Sequence, residues 1–216
     1  MIPKKIILIV TNLIILNAFA QQYTFDYVLE YGHTVSGKMI SEYRFINSED
    51  NKFMLTISEH NDKLAMLLTL ENGKFFRDSI ATTDFFVEAI ALRCPTVGRK
   101  NYSEYENIDE FLYAKRYDTV FSGENCVHIS LASKIVENGH KTPVILHYLI
   151  SNGNNFKLPL FDPIGMLYKS WKLGGDIPKG LVKKSYMEFD GQKVDILDLL
   201  QCVPVKKHII LDTRCK

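Results

Sequence analysis

The stretch ENCVHISLASKIVENGHKTPVILHYLIS, residues 124–151, reads as one long β-hairpin and sets the fold class. Asn138-Gly139 separates two apolar runs, 127–136 and 143–150. A two-residue type I′ turn needs positive φ at both central positions, and Asn-Gly adopts it at low steric cost. In the first arm Val127, Ile129, Leu131, Ser133 and Ile135 share one face; Cys126, His128, Ser130, Ala132 and Lys134 share the other. The second arm is apolar on both faces: Val144, Leu146, Tyr148 and Ile150 against Ile145, His147 and Leu149. Such a strand belongs in the middle of a sheet with cover on each side, or on the wall of a cavity.

Toward the N-terminus the same period of two recurs. Tyr23, Phe25, Tyr27, Leu29 and Tyr31 alternate with Gln22, Thr24, Asp26, Val28 and Glu30, predicting a half-buried strand with one aromatic face. Gly32 and Gly37 bracket a turn, and residues 38–46 form the next strand, with Met39, Tyr43 and Phe45 opposite Lys38, Glu42 and Arg44. Phe53, Leu55 and Ile57 mark a third strand, residues 64–70 a fourth and residues 74–80 a fifth, entered through Asn72-Gly73. The first third of the chain is an antiparallel meander.

The pattern then changes. Residues 84–93 group Phe85, Phe86, Ala89, Ile90 and Leu92, which predicts a short helix capped by Thr83 or Asp84 and ended by Cys94-Pro95. Residues 96–110 are polar and irregular. Strands resume at 111–121, and Ser122-Gly123 turns the chain into the hairpin. Residues 151–180 mix Pro159, Pro163, Gly165, Gly174 and Pro178 with Phe156, Phe161, Met166, Leu167, Tyr168 and Trp171. They read as a long apolar loop, either folded over one end of the core or forming a lid over a pocket. Residues 181–189 and 193–202 flank Asp190-Gly191 as a closing hairpin. Residues 204–216 are a tail with one short strand, 209–211.

Residues 1–20 read as a signal peptide. Lys4 and Lys5 precede the apolar run 6–16, and Ala18-Phe19-Ala20 is an A-x-A cleavage signal. A bilayer-spanning helix needs about 20 apolar residues, more than this run has, and an uncleaved anchor is the alternative. Cleavage of the first 20 of 216 residues leaves a single β-rich domain, 21–216, destined for the periplasm or secretion. Losing Lys4 and Lys5 leaves 24 basic and 25 acidic residues, a balance that offers nucleic acid no basic surface. Later runs are too short to span a membrane as helices. In an oxidising compartment the four cysteines suggest disulfides. Three pairings are open, with Cys94–Cys126 and Cys202–Cys215 favoured and four buried free thiols the alternative.

Catalytic signatures are missing: there is no G-x-S-x-G, H-E-x-x-H, C-x-x-C, Walker loop or G-x-G-x-x-G. Cys126 and His128 share a strand face, which reads as a disulfide cysteine beside a surface histidine. His128, His140 and His147 belong to one hairpin, but His140 and His147 point to opposite faces, so no metal site, and no cofactor, is expected. The chain reads as a non-enzyme.

The layout resembles the periplasmic LolA/LppX-like superfamily of lipoprotein and lipid carriers. Within it, the chain is most similar to secreted Bacteroidetes proteins of the GLPGLI-type group. Gly123-Glu124-Asn125-Cys126 is similar to the Gly-x-x-Cys turn of that group, and Gly175-Asp176-Ile177-Pro178-Lys179-Gly180-Leu181-Val182 to the Gly/Pro segment before its closing strands. Gly-Leu-Pro-Gly-Leu-Ile itself is not present, and the several core helices of LolA have no counterpart. The resemblance implies a half-barrel with a hydrophobic concave face and no catalysis.

These readings combine into a mainly β fold. The expectation is a curved antiparallel sheet, a LolA-like half-barrel, covered by one short helix and a long apolar loop. Its hollow would take a lipid or acyl chain, lined by Tyr23, Phe25, Tyr27, Tyr43, Phe45, Phe86, Leu146, Tyr148, Phe161 and Trp171. The alternative is a cell-surface structural or interaction module that meets an envelope protein partner.

Overall fold

The computed structural model describes residues 20–60, 63–93, 95–99, 111–133, 144–151 and 156–212. In chain order its elements are β1 (Ala20–Val35), β2 (Lys38–Ile46), β3 (Phe53–His60), β4 (Lys63–Leu70), β5 (Lys74–Ala81), α1 (Thr82–Phe85), β6 (Ala89–Leu92) and β7 (Thr96–Arg99). There follow β8 (Phe111–Phe121), β9 (Glu124–Ser133), β10 (Ile145–Ser151), β11 (Pro159–Leu160), α2 (Met166–Lys172), β12 (Gly180–Phe189) and β13 (Gln192–Asp212). The sheet runs β7-β5-β4-β3-β2-β1-β13-β12-β10-β9-β8 with antiparallel neighbours; β6 joins β13 and β11 joins β12 in parallel.

Turn chemistry acts at two of the expected dipeptides, whereas Asn72-Gly73, expected as a type I′ turn, holds positive φ only at Gly73 (81°). Ser122-Gly123 and Asp190-Gly191 hold positive φ at both positions, 51° and 78°, then 48° and 73°. The arms of the opening hairpin pair from Ile145 opposite Ala132 to Ser151 opposite Cys126, while the Asn138-Gly139 turn lies outside the described residues. The doubly apolar β10 stands inside the sheet, between β9 and β12.

Four expectations are corrected. The helix expected over 84–93 is one turn, α1, followed by β6, whose Ile90 and Leu92 are buried between exposed Ala89 and Ala91. That alternation, on the free edge of β13, outweighs helical grouping. Residues 96–99, expected to be irregular, are strand β7 on the edge of β5. The apolar loop contains α2, which stops at Gly174 (φ 85°), where the Gly174 and Gly175 amides donate to the Trp171 and Ser170 carbonyls. The tail is no separate piece, because β13 continues through Pro204 to Asp212 along β1. Pro204 is accommodated at a register shift, where a missing amide proton breaks no regular ladder.

Residues 89–99 give the first half of the sheet its shape. β6 bonds to β13 and β7 bonds to β5, and only residues 93–95 separate them. Together with the 93–95 connection they link β13 to the far edge of the meander, so that within an open sheet β1 to β7 and β13 form a ring of strands joined by pairing and by the chain. Inside this ring lies the largest core, with buried side chains from β1 to β6 and β13: Tyr23, Phe25, Phe45, Leu55, Ile57, Leu64, Met66, Leu68, Phe76, Ile90, Leu92, Ile209 and Leu211. Each such side chain stabilises the fold by about 1.5–3 kcal/mol relative to exposure.

The second half, β8–β13, carries α2 on one face, over Val127, Ile129, Leu131 and Ile150. The Tyr168 hydroxyl donates to Glu71 Oε2 at 2.9 Å and Lys172 pairs with the same oxygen, which ties α2 to the β4–β5 turn of the ring. Between the halves a third core gathers Leu29, Tyr31, Ile46, Met54, Leu160, Leu181 and Leu197. The described residues contain no helix long and apolar enough to cross a membrane.

Candidate binding cavity

A cavity of about 260 Å³ opens where the two halves of the sheet meet under the 160–167 segment. Its floor comes from six strands: Leu29 and Tyr31 on β1, Arg44 on β2, Met54 on β3, Tyr148 on β10, Val182 and Ser185 on β12, and Asp195 and Leu197 on β13. Leu160, Phe161, Asp162, Gly165 and Leu167 cover it. Strand pairing explains the convergence, since Tyr148 stands opposite Ser185, Ser185 opposite Leu197 and Leu197 opposite His33. One cross-strand row therefore leads from β10 to β1 on a single face.

The walls are apolar on one side and charged on the other. Arg44 Nε donates to Glu42 Oε1 at 2.5 Å, and the guanidinium lies 5.0 Å above the Tyr31 ring. Burial opposes the Arg44 charge, but Glu42, then Tyr31 and Asp162, outweigh it and hold the side chain cationic. His33 sits between Asp195, at 2.6 Å, and Glu42, at 3.4 Å. The Tyr31 hydroxyl donates to the Val182 carbonyl at 2.8 Å, and burial raises its pKa to about 12. Burial, then Asp162, pushes the Tyr148 phenol well above its ordinary value, so it stays a neutral donor. Its hydroxyl forms no hydrogen bond to any described residue. Ser185 adds an aliphatic hydroxyl to the wall, not hydrogen-bonded to a histidine among the described residues. The assembled groups are those of a binding site: an unpaired phenol donor, a paired guanidinium, two carboxylates and an aliphatic wall.

Of the residues expected to line a hollow, Tyr148 and Phe161 do so here. Tyr23, Phe25 and Phe45 are packed inside the ring with Tyr43 against them. Tyr27 packs on Phe156 at 5.3 Å beside the third core, and Leu146 and Trp171 support the second. Phe86 is 80 % exposed. Sequence reading missed Arg44, Asp162 and Asp195. The alternation of β2 assigned Arg44 to a solvent face, whereas over residues 43–46 both faces of β2 are covered. A charged residue inside a strand with aromatic neighbours at Tyr43 and Phe45 was the available signal.

The histidine and cysteine readings also change. His128 is buried, 9 % exposed, and not a surface residue. In place of the expected bridges, Cys126 and Cys202 are free thiols, and Cys94 and Cys215 lie outside the described residues. No group of three or more metal-ligating side chains occurs among the described residues. No protein-family model matches the chain, and no curated protein matches it in sequence.

Proposed function

We propose that the chain is an exported, non-catalytic binding protein, periplasmic or secreted, that holds a small lipophilic ligand with one polar end in the cavity beside Tyr148. The observation that carries this reading is the cavity lining itself: the Tyr148 hydroxyl, which has no hydrogen-bond partner among the described residues, stands with Arg44, Asp162 and Asp195 around an aliphatic wall. Burial keeps the Tyr148 phenol neutral, so it can donate to an acceptor brought by a ligand. Leu29, Met54, Phe161, Leu167 and Leu197 take the apolar remainder. A volume of 260 Å³ lies just under the usual range for drug-sized ligands, about 300–1,000 Å³. It suits one short chain or ring system in preference to several acyl chains.

A LolA-like half-barrel is the finer form of the fold under this reading. The curling of the antiparallel sheet and the placement of α2 and residues 156–165 over an apolar face support it. A second reading, an interaction module at the cell surface, is favoured by the exposure of Met39 (68 %), Leu200 (55 %) and Ile40 (50 %) near the β1–β2 turn.

Native mass spectrometry of the protein from its own host separates the two. The carrier reading expects a small-molecule adduct on the wild type that Ser185→Phe, which fills the cavity, removes. A wild type without any adduct, or an adduct that survives Ser185→Phe, overturns it. A stoichiometric protein adduct with an empty cavity supports the interaction module.

A further inference from the structure

On the face opposite the cavity, four side chains from four adjacent strands are hydrogen-bonded in a row. The Tyr117 hydroxyl on β8 meets His128 Nδ1 on β9. His128 Nε2 lies 3.0 Å from His147 Nδ1 on β10, and His147 Nε2 lies 3.1 Å from Glu188 Oε2 on β12. Tyr186 stacks on the His147 ring at 4.5 Å and 13°, and the Lys193 ammonium of β13 sits 4.6 Å over Tyr186. Titratable groups facing the two imidazoles include Tyr117, Tyr186, Glu188 and Lys193, with Lys184 acting on Tyr186 and Cys126 on the same side of β9.

With Glu188 ionised, these three contacts set the protons along the row. An ionised Glu188 only accepts, so His147 Nε2 carries a hydrogen. A neutral His147 then has a bare Nδ1, which accepts from His128 Nε2–H. His128 Nδ1 is bare in turn and accepts from the Tyr117 hydroxyl. With both rings neutral, this is the one assignment that satisfies all three contacts. One added proton is tolerated at His128 Nδ1, because the Tyr117 oxygen can accept once its hydroxyl turns. A second proton can go only to His147 Nδ1. There it faces His128 Nε2–H across 3.0 Å, donor against donor and cation against cation.

We propose that this row is an acid-operated latch across β8, β9, β10 and β12, closed while the imidazole pair holds at most one added proton and opened by the second. Burial, opposed by Glu188, lowers the His147 pKa, in keeping with a ring that resists protonation in place. The sign follows: an unfolded histidine titrates near 6.5, so the stability held by His147 is present above that pH and lost as pH falls below it. The residues next to the latch on β10 and β12, Tyr148 and Ser185, face the cavity, so the two features occupy opposite sides of the same strands.

Imidazole nitrogen NMR on the full folded chain tests the assignment directly. At neutral pH both His128 and His147 are expected as neutral Nε2–H tautomers. Both rings found as imidazolium, or a neutral His147 found protonated at Nδ1 in place of Nε2, overturns the latch. The second arm is urea unfolding across pH. Below about pH 6.5 the wild-type unfolding constant is expected to rise about tenfold more per pH unit than that of His147→Gln, the effect of one excluded proton. Parallel pH dependence in the two proteins refutes the proposal. If His147→Gln does not fold, the NMR assignment of the wild type decides alone.

Discussion

Phe25 and Tyr27 stand two residues apart on β1 and pack on opposite sides of the sheet. Phe25 meets Phe45 edge to face at 6.3 Å inside the ring. Tyr27 pairs with Ile46, the neighbour of Phe45, and packs outward on Phe156. Between them the register with β13 slips, from Phe25 opposite Lys207 to Tyr27 opposite Pro204. This bulge lets one strand serve two cores.

Asp26 pins the bulge. Its carboxylate accepts from the Ser48 amide at 2.8 Å and from the Ser48 hydroxyl. Asp26→Ala is expected to cost about 1–3 kcal/mol, because both donors lose their partner, and Asp26→Asn less. Urea midpoints at constant slope check this; an Asp26→Ala protein as stable as wild type removes the carboxylate from the account.

Truncation inside and outside the ring should differ sharply. Leu55 is fully buried, so Leu55→Ala should cost about 2–5 kcal/mol through lost burial and the cavity it leaves. Phe86 is 80 % exposed, and Phe86→Ala should stay within about 0.5 kcal/mol. Thermal and chemical melts of the two variants side by side are the measurement.

Arg44 and Glu42 depend on each other. Arg44→Ala leaves the Glu42 carboxylate largely buried and is expected to cost about 3–5 kcal/mol. Replacing both, Glu42→Gln with Arg44→Met, should recover most of that loss. A double-mutant cycle reads the coupling directly, and additive costs would show the pair to be independent.

Alkali should expose Tyr31. Its phenol is neutral in the fold up to about pH 12, against an ordinary value of 10. A raised pKa means the stabilising contribution is whole below pH 10 and disappears as pH climbs toward 12. Ultraviolet titration of phenolate absorbance should show a delayed fraction that ionises together with unfolding. In Tyr31→Phe that fraction should shrink.

Much of the strand plan was legible before any coordinates. The β2 and β8 boundaries follow from alternation and from their flanking turns, and Ser122-Gly123 and Asp190-Gly191 from the left-handed backbone those residues tolerate. α2 was obscured by surrounding glycines and prolines, although Gly165 and Gly174 mark its two ends. β6 was misread because four residues are too few to separate a period of two from a helical cluster. Tyr148 was recoverable as a cavity residue because its strand is apolar on both faces, and Phe161 because it belongs to the apolar cover. Arg44 was not: a local pattern shows which residues share a face, not which faces are covered.

By itself the sequence determined the class of the fold, the order of its strands along the chain and the turns between them, since each depends on residues within about ten positions of one another. Only the tertiary structure decided which strands are neighbours across the sheet, that β6 pairs with β13 and β7 with β5, and that Arg44, Tyr148 and Asp195 meet around one cavity. Those outcomes rest on register shifts and long-range pairing. A slip of one residue moves a side chain to the other face, and nothing local announces it.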